Sequence, residues 1–266
     1  MPVRGNGMLR RHAPILRTTG AATSCFLVLA ALRYDELSLS LEPITILWFL
    51  AGALYTNLFE YAVHRFPMHR GLPLLRHVRK HHIEHHRIFH GSNFRTANAG
   101  DLGQIPGRPW IFPLLLGAHY LLLTLILPIE ATMVFLSACL LHYLVFEGSH
   151  WLTHLDGNVV DRALSRIPSL ARIRERQIEH HRSHHERPSE AFNFNPPYLG
   201  DVLAATRKQP ARSAVTVASR PARLRPQARP AVLYRTAIVL CAIALGMAAL
   251  QHARSGAGAS ASRAGS

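Results

Sequence analysis

A chain of 266 residues with 30 Lys and Arg against 15 Asp and Glu carries a formal charge of +15. That balance fits nucleic acid or loops lying on an anionic membrane leaflet, and the 48% of hydrophobic residues, bunched into runs rather than spread periodically, favours the membrane. The three cysteines, Cys25, Cys139 and Cys241, lie far apart in apolar runs without a CxxC pair, so neither a disulfide framework nor a thiolate zinc site is supported and each reads as a small buried hydrophobe.

The N-terminal stretch MPVRGNGMLRRHAPILR is basic. The apolar run after it, Gly20 to Leu32, falls short of the roughly 20 residues that a spanning helix needs. Extended back to Ala13, with Arg17 reaching out to the interface, it could still span. A signal peptide is the competing reading, but no clear small-residue cleavage site follows. After a short acidic loop (Asp35, Glu36, Glu42), residues 43–63 read PITILWFLAGALYTNLFEYAV, about 31 Å of helix at 1.5 Å per residue and enough to cross the hydrocarbon core. Two further apolar runs, 110–127 and 129–147, are separated by Pro128, with Glu130 just after the proline. A proline there breaks the helix and predicts a tight transmembrane hairpin. Residues 207–230, rich in Arg, Pro and Ala, read as a linker on anionic headgroups. Ala231 to Leu250, with Arg235 near its start, is a last candidate span, and the Ser-Gly-Ala tail from Ser255 has nothing to bury.

The expected fold is therefore all-α: an integral membrane protein with four to five transmembrane helices under a histidine-rich helical cap. Its parts would be an N-terminal segment (1–42), the main domain (43–200), the linker (201–230), a C-terminal span (231–252) and the tail (253–266). Residues 64–110 carry eight Lys or Arg and residues 148–230 carry fourteen, whereas the loop at 33–42 has only Arg33. The positive-inside rule places both basic segments in the cytosol, with a bacterial inner membrane as the expected location. A hairpin that crosses and returns also brings them to one face.

Those two segments hold the histidines. His64 to His90 reads HRFPMHRGLPLLRHVRKHHIEHHRIFH and contains eight of the chain's 18, followed by HWLTH at His150 to His154 and HHRSHH at His180 to His185. Residues three and four apart share a helix face. His82, His85 and His86 thus present three imidazoles together, as do His181, His184 and His185, and His150 with His154 makes a further pair. His64 and His69 are five apart and would diverge on an α-helix, but Pro67 between them disfavours continued helix and lets the chain turn His69 back. Ten imidazoles exceed what one ion uses, whereas two ions with four or five each would fit, and imidazole suits zinc, iron, copper and nickel. The absence of HExxH disfavours a zinc protease.

Other polar residues stand beside these. His81 and His180 directly precede the HxxHH units, creating a competing HxxxHH register; the HxxHH register gives both units i+3 and i+4 partners, leaving His81 and His180 as outer neighbours. Glu60 and Glu147 lie four and three residues before His64 and His150. Each either orients a ligand imidazole or touches a metal, or else is an interfacial carboxylate paired with an Arg. His77, His90 and His142 are spare, His119 on an apolar helix reads as packed or hydrogen-bonded, and His12 and His252 as incidental. Phe66, Phe89, Phe94, Trp151 and Phe192 either line access for a substrate or simply pack.

From about residue 45 to 200 the chain resembles the fatty acid hydroxylase and sterol desaturase superfamily, whose integral membrane members carry HxxxxH, HxxHH, HxxxH and HxxHH in that order. His64 and His69 match the first box, His82, His85 and His86 the second, His150 and His154 the third, and His181, His184 and His185 the fourth; AFNFNP then resembles the Asn-Phe that follows. The resemblance implies two metal ions, iron foremost and zinc as an alternative occupant, with O2 as co-substrate. The implied reaction is hydroxylation or desaturation of an unactivated C–H bond of a lipid, a fatty acyl chain first and a sterol-type or carotenoid lipid second. Without a dinucleotide fingerprint or haem domain, electrons would come from a separate reductase with a ferredoxin or cytochrome-type carrier. The rival reading is a non-enzymatic, histidine-rich metal-binding or transport protein, but transporters place ligands within the spans, whereas these histidines lie past the helix ends. Nucleic-acid binding finds no recognition motif.

Overall fold

The structure, a computed structural model, describes residues 5–37 and 42–207, with side chains from residue 11. The expected fifth span, most of the basic linker and the tail lie outside the described residues. What is described is helical, with no strand beyond an isolated bridge between Thr96 and Leu155. The helices are α1 (Gly5–Leu32), α2 (Pro43–Val63), α3 (Arg76–Ile88), α4 (Ala99–Leu102), α5 (Ile111–Thr124), α6 (Ile129–His154), α7 (Val159–Leu164), α8 (Pro168–Glu186) and α9 (Leu199–Leu203).

Among the described residues, three stretches are long and apolar enough to cross a membrane: Arg11–Leu32, Pro43–Arg70 and Ile129–His154. Their outward side chains remain apolar, with Leu27, Leu50, Leu54, Leu141 and Val145 all exposed. So large an unpaired apolar surface suits hydrocarbon, not water. The hairpin around Pro128 forms as expected, but its first arm is shorter than its apolar run. Helix α5 has 14 residues, about 21 Å against a core of about 30 Å. The second arm is longer than expected, because α6 runs unbroken through Glu147 to His154.

Helix α2 packs chiefly on α6, and α1 on α5 and α6. The α2–α6 contact depends on Gly52, where an added Cβ would come within 2.6 Å of the Phe135 carbonyl oxygen. Small residues at such a crossing let two backbones approach. One helix turn later Thr56 donates to the Gly52 carbonyl at 2.6 Å and lies 3.0 Å from Cys139 Sγ. Cys139 is buried as expected, and Cys25 is half-buried. Beneath the cap, Ile15, Phe89, Leu102, Ile105, Trp151 and Leu155 form one apolar cluster. The N-terminal segment is thus part of the main body and not an appendage to it. Helix α9 likewise crosses the expected boundary at residue 200.

Pro67 does not break the chain. Residues His64–Arg70 continue α2 as a π-helix containing Pro67, closed by an i→i+5 bond from Gly71 N–H to Phe66 O at 2.8 Å. Proline removes one i→i−4 bond and crowds the carbonyl that bond would use, and widening the helix relieves both. In that wider winding residues five apart return to one side, which is why an HxxxxH pair converges here.

Candidate metal centre

The ten histidines expected as ligands gather into two groups of five. His64, His69, His82, His86 and His184 form the first, and His85, His150, His154, His181 and His185 the second; in each, one ring nitrogen per residue lies within 4.8 Å of all the others. The two HxxHH helices divide their rings in opposite senses. Helix α3 sends its i and i+4 rings, His82 and His86, to the first group and its i+3 ring, His85, to the second. Helix α8 sends His181 and His185 to the second and His184 to the first. The π-helix completes the first group and α6 the second. Where the groups adjoin, the rings of His86 and His185 stack at 4.2 Å.

The inward nitrogens cannot be explained as a hydrogen-bond network. His82 Nε2 lies 3.0 Å from His64 Nε2, 3.0 Å from His69 Nε2 and 3.1 Å from His86 Nε2. An imidazole nitrogen offers one proton or one lone pair, so it cannot satisfy three such contacts. In the second group His181 Nε2 is 3.0 Å from the Nε2 atoms of both His154 and His185, and His150 Nε2 is 3.2 Å from His85 Nε2. Nitrogens about 3 Å apart match adjacent corners of a shell whose metal–nitrogen bonds are about 2.1 Å. Ten nitrogen donors without a thiolate or carboxylate among them therefore fit two borderline cations.

Outer hydrogen bonds aim the rings. His154 Nδ1 donates to Phe94 O and His184 Nδ1 to Glu190 O, each at 2.7 Å, and His64 Nδ1 donates to Phe192 O. A proton fixed on Nδ1 leaves the Nε2 lone pair pointing inward. Burial, then the neighbouring rings, hold His82, His85, His181 and His184 well below the ordinary value of 6.5, and His185 is lowered to about 3. All five are thus neutral at physiological pH, the form a metal needs.

Two of these carbonyls, those of Glu190 and Phe192, belong to a strap, residues 190–206, that covers the first group. Asp201, fully buried, accepts from Phe192 N at 2.9 Å and Asn193 N at 2.7 Å. Asn57 ties the strap to α2: its Nδ2 donates to Asn195 O at 3.0 Å and its Oδ1 accepts from Leu199 N at 2.9 Å. Gly200 has to be glycine, since a Cβ there would sit 2.1 Å from the Tyr61 ring. Sequence reasoning missed Asn57 and Asp201. An amide inside an apolar spanning run was the available signal for Asn57; nothing local marks Asp201.

No family model, curated protein or solved structure matches the chain.

Of the outer residues named from sequence, the two carboxylates fall differently from expectation. Glu60 holds no ligand imidazole. Its Oε1 accepts from Phe194 N and, at 3.3 Å, Asn195 N, while Oε2 pairs with the spare His142 at 2.6 Å. It therefore acts on the first group only through the strap. Glu147 accepts from Gly107 N at 3.2 Å and touches no ligand ring. His180 Nε2 donates to Asn193 O at 3.0 Å, and His81 stays outside both groups, which resolves the register in favour of HxxHH. His119 is hydrogen-bonded to Leu115 O and Tyr55, as expected of a packed histidine. His12, read as incidental, lies against Trp151.

Beside both groups runs a cavity of ≈ 250 Å³. His64 and His82 reach its wall from the first group and His85, His150 and His181 from the second, and apolar side chains of α2, α5 and α6 continue it. None of Phe66, Phe89, Phe94, Trp151 and Phe192 lines it. Phe89, Phe94, Trp151 and Phe192 pack around the rings and core and Phe66 lies against Arg65 and Arg70, whereas Phe59, Trp110, Phe112, Tyr143, Phe146 and Phe194 supply the aromatic wall. The sequence pointed to rings next to the boxes, but the cavity is walled mainly from one turn further along the spanning helices.

Proposed function

We propose that the ten histidines hold two metal ions, iron in the working protein, and that the chain is a membrane-embedded, O2-dependent oxidoreductase acting on an unactivated C–H bond of a lipid. The observation that carries this reading is the cavity: a carbon-lined space beside spanning helices with imidazoles of both groups in one wall. Two redox-active ions so placed supply activation of O2 next to an apolar chain, which zinc could not do. The protein's own groups bind and orient. The π-helix and the two HxxHH helices fix the rings, the strap holds the outer nitrogens of His64 and His184, and the carbon wall excludes water. The excess of Lys and Arg in residues 64–110 and 148–230 supports a cytosolic cap, and a bacterial inner membrane suits a chain of this kind. There a separate reductase with its carrier would deliver electrons.

Two measurements test the reading. Full-length protein purified under mild conditions should carry two metal equivalents per chain, with iron restoring activity where zinc does not. Lipid extracts of cells with and without the gene should differ in one species by one oxygen or by two hydrogens. Two bound ions with no such lipid change would leave a metal-binding or transport protein instead.

A further inference from the structure

Apart from the rings of the two histidine groups, the cavity wall has two polar atoms with no hydrogen-bond partner. Glu147 is 3% exposed, and its Oε2 is unpartnered while Oε1 takes the Gly107 N–H. Tyr143, one turn earlier on α6, approaches the same carboxyl without completing a bond to Oε2. The second atom is His81 Nε2, also buried and unpartnered. Both residues line the cavity. Both side chains meet the same peptide unit of one loop, since His81 faces Pro106 O and Glu147 binds Gly107 N.

Outside the ligand rings and Tyr143, which turns to the Glu147 carboxyl itself, the other polar groups on the wall are engaged elsewhere. Glu60 is committed to His142 and the strap, and Thr56 to Gly52. His77 lies against Trp110, and Arg108 is exposed at the rim. A buried polar atom without a partner is costly, commonly about 1–3 kcal/mol, and a cavity that keeps two of them invites a ligand that satisfies both. We propose that Glu147 and His81 form a hydroxyl-binding subsite, so that the substrate is an apolar lipid bearing an uncharged alcohol. The hydroxyl donates its proton to Glu147 Oε2 and accepts from the Nε2–H tautomer of His81. A charged headgroup would have to shed its water beside a carboxyl in a carbon-lined wall. Glu147 is one helix turn from His150, with Cβ atoms roughly 5–6 Å apart. Holding the hydroxyl there fixes which carbon faces the second histidine group.

The inference rests on the lipid-oxidising reading, and its test needs no turnover. Binding of dodecanol, dodecane and dodecanoate to the full-length protein in detergent is measured for the unaltered chain and for Glu147→Leu, Glu147→Gln and His81→Phe, with metal content checking each fold. The unaltered chain should bind dodecanol about tenfold more tightly than dodecane, the scale of one hydrogen bond. Glu147→Leu and His81→Phe should abolish that preference, and Glu147→Gln should keep part of it. Equal binding of dodecanol and dodecane, tightest binding of dodecanoate, or a preference that survives Glu147→Leu in protein with normal metal content would overturn the subsite alone. If Glu147→Leu loses its metal, the probe ranking on the unaltered chain decides. Failure of all three probes to bind the unaltered chain would overturn the lipid reading as well.

Discussion

The two histidine groups have the same number of rings and nearly the same spacings, but they are built on different supports. The second group stands on three regular helices, α3, α6 and α8, and all five of its rings are buried. The first takes two rings from a π-helix and one from α8, and its outer bonds from His64 and His184 end on the strap. His69 in that group is only half-buried. The outer bond of the second group, from His154 Nδ1 to Phe94 O, lies outside the strap, whereas the outer bonds of the first hold only as long as the strap's own polar anchors hold. The groups should therefore differ in how firmly they keep a metal.

The largest expected effects come from removing the ring at the centre of each group. His82→Ala and His181→Ala should each reduce bound metal from two equivalents to one, and lower activity by more than the ~10–100-fold that loss of a supporting residue costs. Metal content per chain by mass spectrometry checks this; a single variant that loses both ions would mean that the groups are not separable sites. Next in size is chelation. Titration with a strong chelator should remove metal in two phases, the first phase enlarged by Glu60→Ala and the second unchanged. Glu60→Ala should weaken the first site by ~10–100-fold, and a single phase in every variant would erase the distinction between the groups.

This contrast also marks how far the sequence could be read. The α2 boundaries, the hairpin at Pro128 and all ten convergent rings were legible, because apolar runs and the i, i+3, i+4 spacings are local signals. The division of rings between the groups was not. It depends on how α3 and α8 face each other, and no spacing within either helix encodes that. His69 converges on the first group by a different route from the one its sequence suggests, since Pro67 widens the helix instead of breaking it. Glu60 was noticed, yet its partners Phe194 and Asn195 lie more than 130 residues further along the chain. Asp201 escaped altogether, being an ordinary acid in sequence and a completely buried acceptor of two backbone N–H groups once the strap folds back.

A smaller effect tests the regular side of the comparison. Helix α8 is held at its N-terminal half by Arg174, whose Nε lies 2.9 Å from Asp161 on α7, and Arg95 reaches the other carboxylate oxygen at 2.9 Å. Asp161→Asn removes the charge that both guanidinium groups share. Arg174 is almost buried while Asp161 is partly solvated, so the loss falls between that of an exposed pair and a buried one, about 1–2 kcal/mol. Thermal unfolding of the metal-loaded protein should register it, with two metal equivalents retained.

The smallest effect is expected where a histidine lies within the bundle away from both groups. His119 on α5 donates to Leu115 O at 2.7 Å, sits 2.6 Å from the Tyr55 hydroxyl and packs edge-on against Phe59. It shares no atom with the strap, the π-helix or either group. His119→Leu gives up one side-chain contact between α2 and α5 and leaves Tyr55 without that partner, a cost of about 1 kcal/mol. Metal content and both phases of chelation should not move. If they do, ring orientation in the cap depends on packing deep in the helical bundle, and the contrast between a group hung on the strap and one standing on regular helices would have to be given up.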